Sequence, residues 1–261
     1  MGALKPVAHA RWLHGDLKVE GFGRYEPPDD RSAELLEAAD LLRERHVPPL
    51  FVCAYAEAWT APRALAAYLS TYAPTPYVVT ADVWFFDISP GRQGWSAHRG
   101  RADLLTRRAD APPALVNTWV PLTDVGIDDA CMHVLPLPDD PDYPFTMARH
   151  AEQLPPVALP VDAGLALAWD ANVMHAGGPS HPTRGKRRVS LAFSVNAPAH
   201  LAGQGVDEAD IASFEGRIDL IAKQILTYGP DALAPAEWMD WARGHLTLRR
   251  LAQLGLTSPH R

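Results

Sequence analysis

Two segments near the amino end carry apolar residues at helical spacing. Over residues 32–46, leucines and alanines recur every three or four positions, and Asp30 or Ser32 can cap the first turn. Over residues 60–72 the pattern repeats, with Thr60 as the cap and a proline in the first turn, where a missing backbone N–H costs little. The pattern therefore predicts two helices before the middle of the chain.

The middle of the chain changes to short runs rich in β-branched and aromatic residues, which favour strands. Turns rich in proline and aspartate separate them. Short strands at this rhythm are typical of a barrel or a jelly roll. Including one apolar run nearer the amino end, the predicted strands cover residues 50–55, 77–88, 114–122, 132–137, 163–169 and 188–195.

Helical spacing returns after the last predicted strand. Residues 207–228 carry isoleucines and a phenylalanine along one face, and residues 237–254 form a second helical segment with Trp238 and Trp241. We expect these helices to buttress the β core. A lid or a dimer surface is the alternative.

These segments predict a mainly β protein with flanking helices and a double-stranded β-helix (jelly roll) core. At 261 residues the chain fits one domain, since β barrels and sandwiches of this size are often undivided. The predicted parts are the domain at 1–261, the N-terminal helices at 32–73, the β core at about 77–196 and the C-terminal helices at about 207–254.

Composition and charge narrow the function classes. The formal net charge of −7 argues against general nucleic-acid binding but leaves room for a small phosphorylated ligand. Cys53 and Cys131 make no disulfide framework, which favours a reducing cytoplasm. Residues 1–13 lack a signal-peptide core, and no stretch approaches the roughly 20 apolar residues of a membrane span. We expect a cytoplasmic bacterial protein with a small-molecule partner and no membrane partner.

Two histidines far apart in the sequence are the candidate metal ligands. His98 follows a strand-rich segment, and His175 lies in a turn that continues into a Gly-Gly-Pro sequence. Two histidines and a carboxylate form the facial triad of non-haem Fe(II) oxygenases. The carboxylate position of a His-x-Asp motif is Gly100 here. Further on, Arg188 and Ser190 share one face of a strand and can fork onto a carboxylate.

The order of these motifs resembles the phytanoyl-CoA dioxygenase-like branch of the Fe(II)/2-oxoglutarate oxygenases. Residues 117–124 are similar to that group's central strand, residues 129–136 to its Asn-Gly-Cys-Met-x-Val-Leu-Pro segment, and the turn at His175 to its His-Gly-x-Gly-Pro turn. The resemblance covers roughly residues 77–196. It implies a jelly-roll oxidoreductase that consumes O2 and 2-oxoglutarate.

The resemblance also assigns roles to single residues. It implies that His98 and His175 bind Fe(II), and that Arg188, with Ser190, holds the distal carboxylate of 2-oxoglutarate. Arg187 competes for that last role, because the spacing after the second histidine varies in the family. The Arg-x-Ser pattern favours Arg188.

Four explanations fit the glycine at position 100. Chloride takes the open position, as in the halogenases of this group, which carry alanine or glycine there. Alternatively, water fills the position and the enzyme hydroxylates, the site is degenerate and the protein is a cupin-like binding module, or the chain is an engineered Asp-to-Gly variant. We favour the halogenase, because chloride keeps the charge that a carboxylate would supply. Asp103, five residues after His98, is in the wrong place for the short His-x-Asp turn.

The substrate is the least defined part of the prediction. Free-standing halogenases of this group act on amino acids, indole alkaloids or nucleotides, and others act on acyl groups bound to carrier proteins. Arg99 and Arg101 suggest a clamp for an anionic substrate such as a nucleotide, and Asn117 and Trp119 are candidate pocket residues. A solvated loop is the alternative for the arginines, and net acidity argues against a carrier protein. The histidines that we expect not to bind metal are His133, His150 and His181.

Overall fold

The protein is described by a computed structural model. It describes residues 8–73, 75–100, 113–143, 153–197, 208–228, 236–247, 250 and 253–254. The helices are α1 (Ser32–Glu44), α2 (Thr60–Ser70), α3 (Glu208–Ala212), α4 (Phe214–Tyr228) and α5 (Ala236–His245), with short 3-10 turns at Pro49–Ala54, Ala56–Trp59 and Leu137–Asp139.

Nine described strands form two antiparallel sheets. The larger sheet has the order β1-β2-β7-β4-β9-β3, and the smaller one has the order β6-β5-β8. This arrangement of antiparallel sheets with flanking helices is the predicted jelly roll. The strands are β1 (Arg11–Asp16), β2 (Phe22–Glu26), β3 (Val78–Ile88), β4 (Leu115–Pro121), β5 (Met132–Val134), β6 (Val157–Leu159), β7 (Ala166–Asp170), β8 (His175–Gly177) and β9 (Arg188–Asn196).

The two faces of the larger sheet contact different parts of the protein, because successive side chains of a strand point to opposite faces. On β9, Val189, Leu191 and Phe193 belong to the main core, where helices α2 and α4 pack on the sheet. Arg188 and Ser190 alternate with them and so lie on the inner face, toward the smaller sheet. The helices therefore buttress the outer face and leave the inner face for a cavity.

The predicted strand at residues 50–55 is wrong. Pro49–Ala54 is a 3-10 turn instead, with prolines at its start, and Leu50, Val52 and Cys53 are buried against the helices. A proline has no N–H for a strand ladder, and a short apolar run does not by itself distinguish a strand from a buried turn.

Several element boundaries also differ from the prediction. Arg31, not Asp30 or Ser32, holds the cap position of α1, although Asp30 accepts the Ser32 backbone N–H at 2.9 Å. The strand predicted to reach residue 137 ends at Val134, and proline follows at position 136. The helix predicted at 207–228 is divided at Ser213 into α3 and α4.

Four strands were not anticipated: β1, β2, β6 and β8. β6 and β8 have three residues each, β1 is largely exposed, and β2 is a five-residue strand that contains a glycine, so these strands show little hydrophobic patterning in the sequence. Among the described helices, none has both the length and the apolar character needed to cross a membrane.

Candidate functional site

The backbones of His98 and His175 pair directly. Each histidine donates its N–H to the carbonyl oxygen of the other at 3.0 Å, and the ring centroids are 4.2 Å apart. His175 opens β8, which is held by β5 in the smaller sheet. Residues 77 positions apart in the chain therefore present their imidazoles side by side.

Both rings are oriented by the same local hydrogen bond. Nδ1 of His98 is 2.8 Å from the carbonyl oxygen of Ser96, and Nδ1 of His175 is 2.8 Å from that of Val173. A carbonyl can only accept, so Nδ1 carries the proton and Nε2 keeps its lone pair. Metal-binding histidines commonly donate their other ring N–H to a carbonyl oxygen in this way, which fixes the ring orientation.

The surroundings also keep both imidazoles neutral. Burial lowers the pKa of His98, and burial together with the neighbouring His98 ring lowers the pKa of His175 to about 3. A metal ion therefore does not compete with a proton for either ring at neutral pH.

Metal-free protein is expected to lose stability as the pH falls below the ordinary histidine pKa of about 6.5. Between that value and the folded-state pKa, the unfolded chain binds a proton that buried His175 does not, so unfolding becomes more favourable as the pH falls. The loss from His175 approaches about 1.4 kcal/mol per pH unit. Urea unfolding above and below pH 6 measures it. A His175→Gln variant should show a smaller pH difference, and an equal difference would contradict the assignment.

Arg188 is a buried cation on the inner face. The residue is 2% exposed, Nη1 donates to the Ala130 carbonyl oxygen at 2.5 Å, and the guanidinium carbon lies 5.4 Å from the Trp119 ring centroid. Burial lowers the pKa of Arg188 to about 10, so the side chain stays charged at neutral pH. Neither Arg188 Nε nor the buried Ser190 Oγ has a hydrogen-bond partner among the described residues. Buried donors of this kind fit a bound carboxylate.

Arg187 lies on the opposite side of the strand. It forms a two-point ion pair with Asp87, at 2.7 Å for each contact, and a further pair with Asp40 at 2.8 Å. Of the two candidate arginines, Arg187 is therefore engaged in an ion-pair network near the surface, and Arg188 points into the site.

The cavity between the sheets brings most of the predicted site residues together. Its volume is about 100 Å³. Asn117 accepts a hydrogen bond from Ser194 Oγ at 2.8 Å through its Oδ1, and neighbouring Trp119 is fully buried. The lining comprises Trp84, Phe86, Trp95, His98, Asn117, Trp119, Met132, Trp169, His175, Gly177, Arg188, Ala192, Phe193 and Ser194.

The backbone at Gly100 packs closely against Ala171, so the space beside it is not open. Its N–H donates to the Ala171 carbonyl oxygen at 2.5 Å, and an added Cβ would lie 2.6 Å from that oxygen and 2.9 Å from Ala171 Cβ. Ala171 therefore fills the space that a side chain at position 100 would occupy. Gly100 is also not among the residues that line the cavity. The close approach argues against an engineered aspartate loss, since a scaffold built for aspartate keeps room for a Cβ.

Arg99 is not available as a substrate clamp. Its guanidinium forms a buried two-point ion pair with Asp140, at 2.6 and 2.8 Å, and donates to the Asn172 carbonyl oxygen at 2.8 Å. The side chains of the pair are 1% and 0% exposed. Arg99 instead joins the segment that carries His98 to the turn that leads into His175.

The remaining candidates lie elsewhere. His133 is held by the Pro155 carbonyl oxygen at 2.9 Å, and His181 caps a turn through Nδ1. Neither lines the cavity. Three residues weighed from the sequence lie outside the described part of the chain: Arg101, Asp103 and His150.

The described residues contain no cluster of three histidine, cysteine or carboxylate side chains that could hold a metal ion. The donor set is therefore two imidazoles, without a described carboxylate beside them. An Fe(II) ion fits such a set if exogenous ligands fill the other positions, and 2-oxoglutarate fits the free donors of Arg188 and Ser190.

Sequence reasoning missed several residues of the site. Trp84 and Phe86 could have been found, because they alternate with the core residues of β3. Trp95 and Asp140 lie in irregular segments, where no periodic pattern indicates which way a side chain points.

Comparisons with known proteins give a family and a fold. The family model described as phytanoyl-CoA dioxygenase (PhyH) matches residues 27–189. The crystal structure of EvdMO1 superposes with a TM-score of 0.53 at 22% identity, over 70% of this chain and 48% of that chain, so this chain spans about half of its length. AviO1 from Streptomyces viridochromogenes Tue57 superposes with a TM-score of 0.51 at 20% identity, over 70% of this chain and 92% of that chain. No curated protein matches the sequence significantly.

Proposed function

The chain belongs to the phytanoyl-CoA dioxygenase family of Fe(II)/2-oxoglutarate-dependent oxygenases, and from that premise we propose that it is a halogenase, most simply a chlorinase. One observation carries the proposal: two neutral imidazoles lie side by side in a cavity whose described lining contains no carboxylate. An anion from solution then supplies the charge that the protein ligand would otherwise bring.

His98 and His175 would hold Fe(II) through their Nε2 atoms. Arg188 and Ser190 would hold the distal carboxylate of 2-oxoglutarate, since their unpaired donors lie on the same face of β9. The iron supplies the oxidative chemistry when bound. The described lining offers apolar rings around the remaining space, which keeps water away from the reacting carbon.

The proposed reaction consumes one C–H bond. Substrate R–H, 2-oxoglutarate, O2, chloride and one proton give R–Cl, succinate, CO2 and water. The C–H bond is oxidised, O2 is reduced, and 2-oxoglutarate supplies the other two electrons through its decarboxylation. Chloride would bind on the cavity side of the imidazoles, because Ala171 fills the space beside Gly100.

A hydroxylase with water in the open position is the second candidate. The same two histidines and the same arginine would serve it, and only the exogenous ligand differs. The free buried donors of Arg188 and Ser190 favour either enzyme over a binding module without 2-oxoglutarate.

Chloride is expected to change the iron site of the anaerobic Fe(II)–2-oxoglutarate complex. The visible metal-to-ligand charge-transfer band reports the coordination sphere, so a saturable shift on adding chloride, or tighter 2-oxoglutarate binding with chloride, would support the halogenase. A normal band that ignores chloride up to physiological concentrations and beyond would support the hydroxylase. Sulfate at matched ionic strength is the control for general salt effects.

Substitution at Gly100 is expected to disturb the fold near the metal rather than to rebuild a facial triad. Any Cβ there meets the Ala171 backbone, and overpacking of this kind costs about 1–3 kcal/mol. Gly100→Ala and Gly100→Asp should therefore lower the unfolding midpoint similarly, and both should lose chlorination. If Gly100→Asp alone gained iron affinity and robust hydroxylation, the steric account of this position would be wrong.

A further inference from the structure

A continuous aromatic wall stands beside the metal-binding histidines. Trp95 packs against Trp84 with ring centroids 4.4 Å apart and against Phe86 at 5.8 Å, and it lies 5.6 Å from the His98 ring. Tyr228, at the end of α4, extends the wall by packing on Trp84 at 3.8 Å. All but Tyr228 line the cavity.

This wall is not part of the packed core. Trp84, Phe86 and Trp95 contribute to none of the described hydrophobic clusters, and Trp95 is 43% exposed. An exposed tryptophan at the edge of a cavity offers a large apolar surface that is not used for folding.

The charged group in the described lining of the cavity already has an assigned binding partner. Arg188 is the described lining residue with a permanent charge, and under the proposed function 2-oxoglutarate occupies it. Arg99 is paired with Asp140 and does not line the cavity. In the described part of the cavity, no further cationic side chain is available to bind a second anion. No carboxylate is available there to bind a cation.

Besides the unpaired indole N–H groups of Trp119 and Trp169, the described lining offers the side-chain amide of Asn117 for orienting a substrate. Asn117 lies opposite both Trp169 and Ser194 in the sheet. Because its Oδ1 accepts from Ser194, its NH2 group is left as a donor, and that group has no partner among the described residues. A free donor beside the aromatic side chains of the lining selects for a hydrogen-bond acceptor.

We propose that the substrate is a neutral small molecule with a flat aromatic face, which stacks on Trp95, Trp84 and Phe86, and with an oxygen acceptor for Asn117. This inference rests on the proposed function for its assignment of Arg188 to 2-oxoglutarate. It differs from the anionic substrate suggested by the sequence, since Arg99, one of the two arginines behind that suggestion, is engaged in an ion pair.

Binding of three probes to the anaerobic Fe(II)–2-oxoglutarate complex tests the proposal. Coumarin is flat, aromatic and neutral with a carbonyl acceptor, octanamide is neutral without a ring, and adenosine monophosphate is an anion with a ring. Equilibrium dialysis should show saturable coumarin binding, at least several-fold tighter than that of either other probe. Tighter binding of adenosine monophosphate or octanamide, or no coumarin binding, would overturn the proposal.

Two variants separate stacking from hydrogen bonding. Trp95→Ala should weaken coumarin binding about five- to tenfold, whereas Phe214→Ala, at a residue 56% exposed on α4, should not change it. Asn117→Asp removes the donor and should weaken coumarin but not indole, which has no oxygen acceptor. Equal losses for both probes would contradict the role of Asn117.

These outcomes are distinguishable from failure of the proposed function. The charge-transfer band shows independently that iron and 2-oxoglutarate are bound, and the binding assay uses neither chloride nor O2. A hydroxylase with this aromatic wall would pass the probe test and fail the chloride test.

Discussion

Arg188→Ala is expected to weaken 2-oxoglutarate binding about 10²- to 10³-fold. Removing one partner of a buried, hydrogen-bonded charge pair costs roughly 2–5 kcal/mol, much of it from leaving the other charge without a partner. Arg188 is 2% exposed, and its Nε has no described protein partner, so its charge is available to a carboxylate. Titration of the anaerobic iron complex with 2-oxoglutarate, followed through the charge-transfer band, measures the change.

Arg187→Ala is the matched control for that experiment. The two arginines are adjacent, but Arg187 pairs with Asp87 and Asp40 on the outside of the sheet. Its loss should change stability by about 1 kcal/mol or less and leave the 2-oxoglutarate affinity unchanged. Arg188→Lys keeps the positive charge but loses the two-point hydrogen bonding of the guanidinium. Its 2-oxoglutarate affinity should therefore lie between that of the wild type and that of Arg188→Ala. If Arg187→Ala reduced affinity and Arg188→Ala did not, the cofactor site would be assigned to the wrong residue.

Asp140→Asn is expected to destabilise the protein by about 3–5 kcal/mol, because it leaves the Arg99 guanidinium buried without its counter-charge. Both side chains are almost fully buried, and the same guanidinium holds the Asn172 carbonyl oxygen. Breaking the pair should therefore also loosen the two segments that carry the histidines. Urea unfolding of the metal-free protein measures the first effect, and Fe(II) affinity measures the second.

A neighbouring aspartate provides the control for Asp140. Asp139 is exposed and one residue away, so Asp139→Asn should change stability by about 0.5 kcal/mol or less. Arg99→Met combined with Asp140→Leu removes both charges and should recover stability relative to Asp140→Asn. If that double variant recovered stability but not iron affinity, the pair would be shown to position the ligands. An unchanged stability in Asp140→Asn would contradict the buried ion pair.

Periodic patterns predicted the parts of this protein that alternate regularly. On β9 the alternation placed Arg188 and Ser190 on one face from the sequence alone, and the structure puts that face toward the cavity. The fold class followed from the rhythm of short strands. The predicted strand at residues 50–55 failed because a buried 3-10 turn and a short buried strand share the same composition.

The parts of the site that could not be predicted depend on contacts distant in the sequence. Arg99 is 41 residues from Asp140, and no local pattern reveals that the two meet. The sequence suggests a role for Gly100 only through the aspartate that stands at this position in the family. In the structure, the surroundings of Gly100 are set by Ala171, which also lies far along the chain. For Arg99 and Gly100 alike, the contacts made in the folded protein determine the role of the residue, and the local sequence does not show those contacts.

The measurement that tests the central claim most directly is X-ray absorption at the bromine edge. The sample is the anaerobic Fe(II)–2-oxoglutarate complex prepared with bromide in place of chloride. If halide binds the iron that His98 and His175 would hold, iron is expected as a near neighbour of bromine, and His175→Ala should abolish that signal. A bromine spectrum identical to that of bromide in buffer, with iron and 2-oxoglutarate both bound, would contradict the halogenase and leave the hydroxylase as the function of this site.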